Sequence, residues 1–234
     1  MQELDSKADQ LRHQREHLPE LAELAELRQT RARLEGELRE ARVQVEDLTA
    51  EQEKIDADVE LVKARRARDQ QRMDQGLVAN PKDLERMTHE LASLERRIST
   101  LEDDEIEIME RVEEAQGTLD ALTAQASAAE QRAGALIASR DAKAAEIDEQ
   151  LAAVAAEREP TVAGLPQDLL ALYDKLRGAK GGIGAAALRA RECGGCRLGL
   201  DNAELAVIKG SPSDEVIRCE QCQRILVRTS ESGL

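Results

Sequence analysis

Two apolar seams, separated by a single turn-forming segment, constrain this chain more than any other feature. The first runs through Leu34, Leu38, Ala41, Val45, Leu48, Ile55, Val59 and Val62, with Gln52 its one polar member. The second runs through Leu84, Met87, Leu91, Leu94, Ile98, Leu101, Ile108, Val112, Ala115, Leu119, Leu122, Ala126, Ala129, Ala133 and Leu136, interrupted only by Glu105. Apolar residues alternately three and four apart line one face of a helix and predict coiled-coil pairing. Helices are expected from about residue 3 to 75 and from 81 to 158, each extending beyond about 100 Å at roughly 1.5 Å per residue. Between them, Gly76-Leu77-Val78-Ala79-Asn80-Pro81 ends one helix and begins the next. Asn80 is placed to cap, Pro81 takes the first helical position and Asp83 suits the first turn. Seams of similar length joined by a few residues pair with each other as an antiparallel hairpin, so a monomer is expected rather than a dimer through the same faces. Pro19 should kink or interrupt the first helix.

The composition agrees with this. The 234 residues include no Phe or Trp and only Tyr173, while 35% are charged and the net charge is -15. Without large aromatic side chains a wide globular core is not expected, and Leu, Ala, Glu and Arg follow the usage of long helices. No stretch approaches the roughly 18 apolar residues of a membrane span, and Met1-Gln2-Glu3-Leu4-Asp5 does not resemble a secretory leader. A cytoplasmic location is therefore expected.

After Glu159-Pro160 the pattern changes. Leu165-Pro166 precedes a short amphipathic helix around Leu169–Leu176, Gly178-Ala179-Lys180-Gly181-Gly182 forms a flexible connection or tight turn, and strands are expected at 185–190, 215–218 and 225–228. The expected architecture is mainly α: a long antiparallel coiled-coil hairpin over 1–160 with its tip near 76–81, then a small C-terminal β domain over 161–234. That domain contains every cysteine, in two Cys-x-x-Cys pairs, Cys193/Cys196 and Cys219/Cys222, separated by 22 residues. The spacing suits one tetrahedral four-thiolate zinc site whose ion would nucleate the fold of a small module. A redox pair or an iron centre would use the same residue type, and two disulfides would suit a secreted chain.

Taken together, Val78-Ala79-Asn80-Pro81-Lys82-Asp83-Leu84, the helix Leu172-Tyr173-Asp174-Lys175-Leu176-Arg177, and the paired cysteines with Gln223-Arg224-Ile225-Leu226 after the last one resemble the bacterial zinc-ribbon coiled-coil family with four cysteine ligands. The resemblance spans nearly the whole chain. It implies structural zinc on Cys193, Cys196, Cys219 and Cys222, and a nucleic-acid-binding or regulatory role. Some relatives serve as adaptors for an alternative sigma factor, flagellar regulation or secretion components. Two positions depart from the family pattern: Gln223 stands where such ribbons usually carry Gly, and Val227 where an aromatic is common.

Charge discriminates between partners. From 189 to 228, seven basic residues against six acidic ones leave +1, and four thiolates with one zinc would bring the module near -1. Such a ribbon alone is a poor phosphate binder. Between Lys63 and Arg97, nine basic residues face six acidic ones, while Ile98–Glu130 carries ten acids against Arg111 alone. If nucleic acid binds, Arg65, Arg66, Arg68 and Arg72 at the basic tip are the first candidates, although solvated helix faces give the same pattern. His13 and His17 stand four apart without an evident third ligand, His89 is expected at the surface, and Tyr173 is expected to anchor a small core. No catalytic constellation can be assembled. The expectation is a non-enzymatic adaptor binding a cytosolic protein, with the transcription machinery a candidate. The alternative is a nucleic-acid-binding regulator using the basic tip.

Overall fold

A computed structural model describes residues 1–234, in the order α1 (Gln2–Glu16), α2 (Pro19–Asp74), α3 (Pro81–Ala163), α4 (Gln167–Ala179), β1 (Ala185–Arg189), β2 (Glu192–Cys193), α5 (Asn202–Gly210), β3 (Ile217–Arg218) and β4 (Ile225–Val227). Residues 23–136 form one compact unit, and residues 1–22 with 137–234 form another.

In the first of these, α2 and α3 are antiparallel neighbours. Ion pairs join Glu23 to Arg132, Arg31 to Glu130 and Lys63 to Glu102, so rising numbers on one helix meet falling numbers on the other. The two seams meet as their spacing requires. Leu34, Ala41 and Leu48 are buried at intervals of seven on α2, as are Leu101, Ile108 and Ala115 on α3. Burying each Leu or Ile contributes about 1.5–3 kcal/mol, and this repeats along the pair. Gln52 and Glu105 are half-buried polar members of the same seam.

The reversal is built as the sequence anticipates. Gly76 adopts φ +66°, its amide bonds the Met73 carbonyl (2.9 Å) and the Leu77 amide bonds the Arg72 carbonyl (3.1 Å). This pair of bonds is a Schellman cap, which requires a residue tolerant of left-handed backbone. Four residues later the Asn80 side chain accepts from the Lys82 amide (3.1 Å) and Pro81 opens α3.

The second unit begins with α1, which stops at Glu16 because Pro19 cannot continue a helix; Pro19 instead becomes the first residue of α2. Ala8, Leu11 and Leu18 pack against Ile147 and Val154 of α3. Contrary to the expected stop at 158, α3 continues through Pro160 to Ala163. Proline deprives only the Ala156 carbonyl of its donor there. Ala156 and Pro160 are both exposed, so water can take the vacant bond, and the Thr161 hydroxyl bonds the Glu157 carbonyl at 3.1 Å.

A polar cluster fastens α1 to α4. Asp5, only 4% exposed, accepts from Arg158 Nε (2.6 Å) and from the Tyr173 hydroxyl (2.7 Å), while Arg177 donates to Asp9. Gln2 extends the attachment: its Nε2 donates to the Gly182 carbonyl (2.9 Å), and its Oε1 accepts from the amides of Gly184 (2.8 Å) and Ala185 (3.2 Å) at the start of β1. Tyr173, Leu176 and Ile225 form a small apolar core with Met1 against it. The strands lie in the order β2-β1-β4-β3, with β1 and β4 parallel and both outer pairings antiparallel.

Burial by itself would raise the Asp5 pKa, but the hydrogen bonds from Arg158 and Tyr173 and the Arg158 charge outweigh it and hold the carboxyl below its ordinary value. A depressed carboxylate stabilises the fold above its unfolded pKa, and that contribution is lost as pH falls through the folded value. Stability should therefore fall on acidification below about pH 4, with a shallower slope in Asp5→Asn. Tyr173→Phe should cost about 1.5–3 kcal/mol by removing a hydrogen bond to a charged group. Thermal melts of the variants across pH would check both, and unchanged melting in Tyr173→Phe would remove the role given to its hydroxyl.

Candidate metal centre

The four cysteines are brought together by two copies of one backbone turn. In the first, the Cys193 amide bonds the Leu198 carbonyl (3.0 Å) and the Arg197 amide bonds the Cys193 carbonyl (2.7 Å). In the second, the Cys219 amide bonds the Arg224 carbonyl (2.9 Å) and the Gln223 amide bonds the Cys219 carbonyl (2.8 Å). The residue after each pair is left-handed, Arg197 at φ +60° and Gln223 at +64°. This explains why Gly suits that position: a side chain there carries a conformational cost. Gln223 recovers part of it, since its Nε2 donates to the carbonyls of Cys219 (3.3 Å) and Glu220 (3.0 Å).

The first turn lies directly on β1. The Gly194 amide donates to the Ala187 carbonyl at 3.0 Å, and a Cβ on Gly194 would stand 2.8 Å from that oxygen. The second turn is tied down by Arg224, whose guanidinium donates to the carbonyls of Ile183 (2.9 Å) and Lys180 (2.8 Å). Cys193 and Cys219 are buried beside Leu188, Leu205, Ile208 and Leu226, whereas Cys196 and Cys222 are half-buried. Leu205 and Ile208 come from α5, which has a full capping box: Asp201 accepts from the Glu204 amide and Glu204 from the Asp201 amide. The strand assignments omit this helix, yet Asp201-x-x-Glu204 ahead of Leu205 is its signature. Arg228 closes the other end of α5 on the carbonyls of Ile208 (3.1 Å) and Ser211 (2.7 Å).

All four sulfurs lie within 4.8 Å of one another, with Cys193–Cys222 at 3.8 Å and Cys196–Cys219 at 3.9 Å, and none is in a disulfide. A tetrahedron with metal–sulfur bonds of about 2.3 Å has edges of about 3.8 Å, so the donor set fits zinc in type and spacing. Burial pushes the Cys219 thiol up to about 12 and raises Cys193 as well. At Cys222 burial also acts upward, but the Arg224 amide and guanidinium lead the opposing contributions and bring it down to about 7. A divalent cation at the centre would favour the thiolate form of all four.

The candidate contact arginines Arg65, Arg66, Arg68 and Arg72 lie close together on α2 but are not a common unpaired patch. Arg65 pairs with Glu90, Arg66 with Glu95 at 3.1 Å, and Arg72 with Asp69 at 3.9 Å; Arg68 has no ion-pair partner. His13 and His17 stack with ring centroids 4.0 Å apart, and His17 Nδ1 bonds the His13 carbonyl. The cysteines are the one group of three or more His, Cys, Asp or Glu side chains placed to hold a metal. Sequence reasoning missed Arg224, Asp5 and Gln2 as supports, because their partners are backbone groups or side chains remote in sequence.

With this geometry in view, residues 1–181 match the CT398-like coiled coil hairpin domain and residues 193–226 match the C4-type zinc ribbon domain. The chain belongs to this family of coiled-coil hairpin proteins with a C-terminal four-cysteine ribbon. It is 32% identical over 232 residues to the uncharacterized protein Rv2229c of Mycobacterium tuberculosis, covering 96% of this chain and 91% of that one. A solved structure from Mycobacterium smegmatis is similar at TM-score 0.81 and 31% identity, over 97% of this chain and 94% of that chain. The structure of CT398 from Chlamydia trachomatis shares the fold at TM-score 0.67 and 19% identity, over 97% and 94% of the two chains. No helix is long and apolar enough to cross a membrane.

Elemental analysis should find about one zinc per chain. Cys219→Ser should release it and loosen the ribbon while far-UV circular dichroism keeps the signal of α2 and α3. Gly194→Ala should also weaken metal retention against a chelator, because its methyl group meets a backbone oxygen that cannot rotate away. Unchanged metal content in Cys219→Ser would remove the four-sulfur assignment.

Proposed function

We propose that this chain is a non-enzymatic adaptor that binds a protein partner through its hairpin and ribbon, with a zinc ion on Cys193, Cys196, Cys219 and Cys222 as a structural element. The observation that carries the reading is the closed sulfur cage. Four thiolates at tetrahedral spacing leave no coordination position for water or substrate, so the ion serves the fold and not hydrolysis. A cytosolic partner is part of this proposal, since cysteine thiolates held by zinc suit a reducing compartment, and the family resemblance makes the transcription machinery the first place to look.

The state of the basic residues favours a protein over a nucleic acid. In the ribbon, Arg224 and Arg228 are held on backbone carbonyls, Arg189 pairs with Glu231 at 3.2 Å, and Arg191 and Arg218 bond the carbonyls of Gly233 and Gln223 through Nε, which leaves Arg197 and Lys209 without an ion pair. At the tip, three of the four candidate arginines are engaged by carboxylates. Phosphate binding draws on cations free to exchange counterions, and single-strand binding adds aromatic platforms that this chain lacks.

Crosslinking followed by affinity capture from the native cell, with and without nuclease, tests the reading. A protein partner should persist after nuclease treatment and should survive Arg65→Glu, Arg66→Glu, Arg68→Glu and Arg72→Glu combined. Capture of nucleic acid alone, abolished by those four changes, would replace the adaptor with the regulator.

A further inference from the structure

One face of α3 points to what kind of partner the hairpin accepts, an inference that rests on the protein-binding reading. Ile106 and Met109 are large apolar side chains, yet they are 58% and 49% exposed. With half-buried Val112 and with Gly117, whose missing Cβ would meet nothing within 4 Å, they line a groove of about 630 Å³. On α3 its lining residues recur at 106, 109–110, 112–113, 116–117 and 120, with Gln52 of α2 along its edge, so the groove follows one side of α3 for about 21 Å, nearly four turns.

The rim of this groove is acidic. Glu110, Glu113 and Asp120 border it, in the segment Ile98–Glu130 that carries ten acids and one base; on α2, residues 46–60 add seven acids against Lys54. The cross-helix ion pairs in these stretches are Glu51–Arg111, Lys63–Glu102 and Arg31–Glu130, which leave Glu110 and Glu113 without basic partners. Such a surface repels phosphate, so neither a nucleic-acid backbone nor an anionic membrane suits it. A second copy applied through the same face would set Glu110 and Glu113 against their own counterparts across the two-fold axis. We infer that the groove receives a basic amphipathic helix from the partner protein, its apolar stripe seated on Ile106 and Met109 and its Lys or Arg residues directed to Glu110 and Glu113. The flexible thioether of Met109 suits an apolar surface that must adjust to a partner.

A fluorescein-labelled peptide of about 18 residues, with Leu at helical i, i+3, i+4, i+7 spacing and Lys elsewhere, probes the site on the full chain by anisotropy at about 0.15 M salt. Saturable one-to-one binding is expected. Ile106→Ser with Met109→Ser, and separately Glu110→Lys with Glu113→Lys, should each weaken it about ten-fold or more. Helix content and melting should hold, since the altered side chains are exposed. The inference is overturned if a scrambled peptide of the same composition binds equally well, if both double variants bind as the parent does, or if sedimentation shows the groove closed by self-association that Ile106→Ser disrupts. Nuclease-resistant capture of a protein alongside any of those results would leave the adaptor reading standing and remove the groove assignment alone. Capture of nucleic acid alone from the native cell would remove the adaptor reading, and the groove's assignment to a partner protein with it.

Discussion

The scarcity of large side chains governs how this chain can hide apolar surface. With one aromatic residue in 234, burial is assembled from Leu, Ile, Val and Ala in narrow layers, and the cheapest geometry for narrow layers is one helix against another. Leu48 packed against Ile108 and Ala115 is one such layer, and Leu24 against Ala133 and Leu136 is another. Each layer contributes modestly, so stability accumulates with length, and the long helices follow from what their side chains lack.

The ribbon meets the same shortage differently. Its apolar core is a handful of aliphatic residues, among them Leu188, Leu205, Ile208 and Leu226, with two cysteines buried beside them. Its turns are held chiefly by backbone hydrogen bonds, and the first is pressed so closely onto β1 that only glycine fits at 194. Around it, Gln2, Asp5, Arg177 and Arg224 bind backbone carbonyls, amides and buried charges that would otherwise be costly to leave unmatched. The N-terminal helix thereby belongs to the body that contains the ribbon, although nearly two hundred residues separate them in sequence.

Local features were readable wherever a residue type acts on its own neighbours. Gly76, Asn80 and Pro81 mark the reversal because left-handed tolerance, side-chain capping and a fixed φ operate within a few bonds, and Pro19 breaks a helix for the same reason. The Asp201/Glu204 capping box is equally local, a helix start lying between the strands expected at 185–190 and 215–218. Pro160 misled because proline is costly only where the lost bond is shielded from water, and exposure is not a local property. The cysteine pairs announce a common site through spacing alone, whereas the left-handed backbone of Arg197 and Gln223 that shapes its turns belongs to the folded chain, since neither residue type favours it.

The amino-acid order by itself determined the helical periodicity, the position of the reversal and the two Cys-x-x-Cys turns, since each depends on contacts between residues close in the chain or on a repeat that every turn reiterates. Tertiary structure alone decided which charges are spent and which remain available. Arg65 and Arg66 look equivalent to Arg68 in sequence, yet only Arg68 lacks a carboxylate partner. Pairing and exposure are set by the neighbouring helix, whose phase relative to these side chains no local pattern encodes.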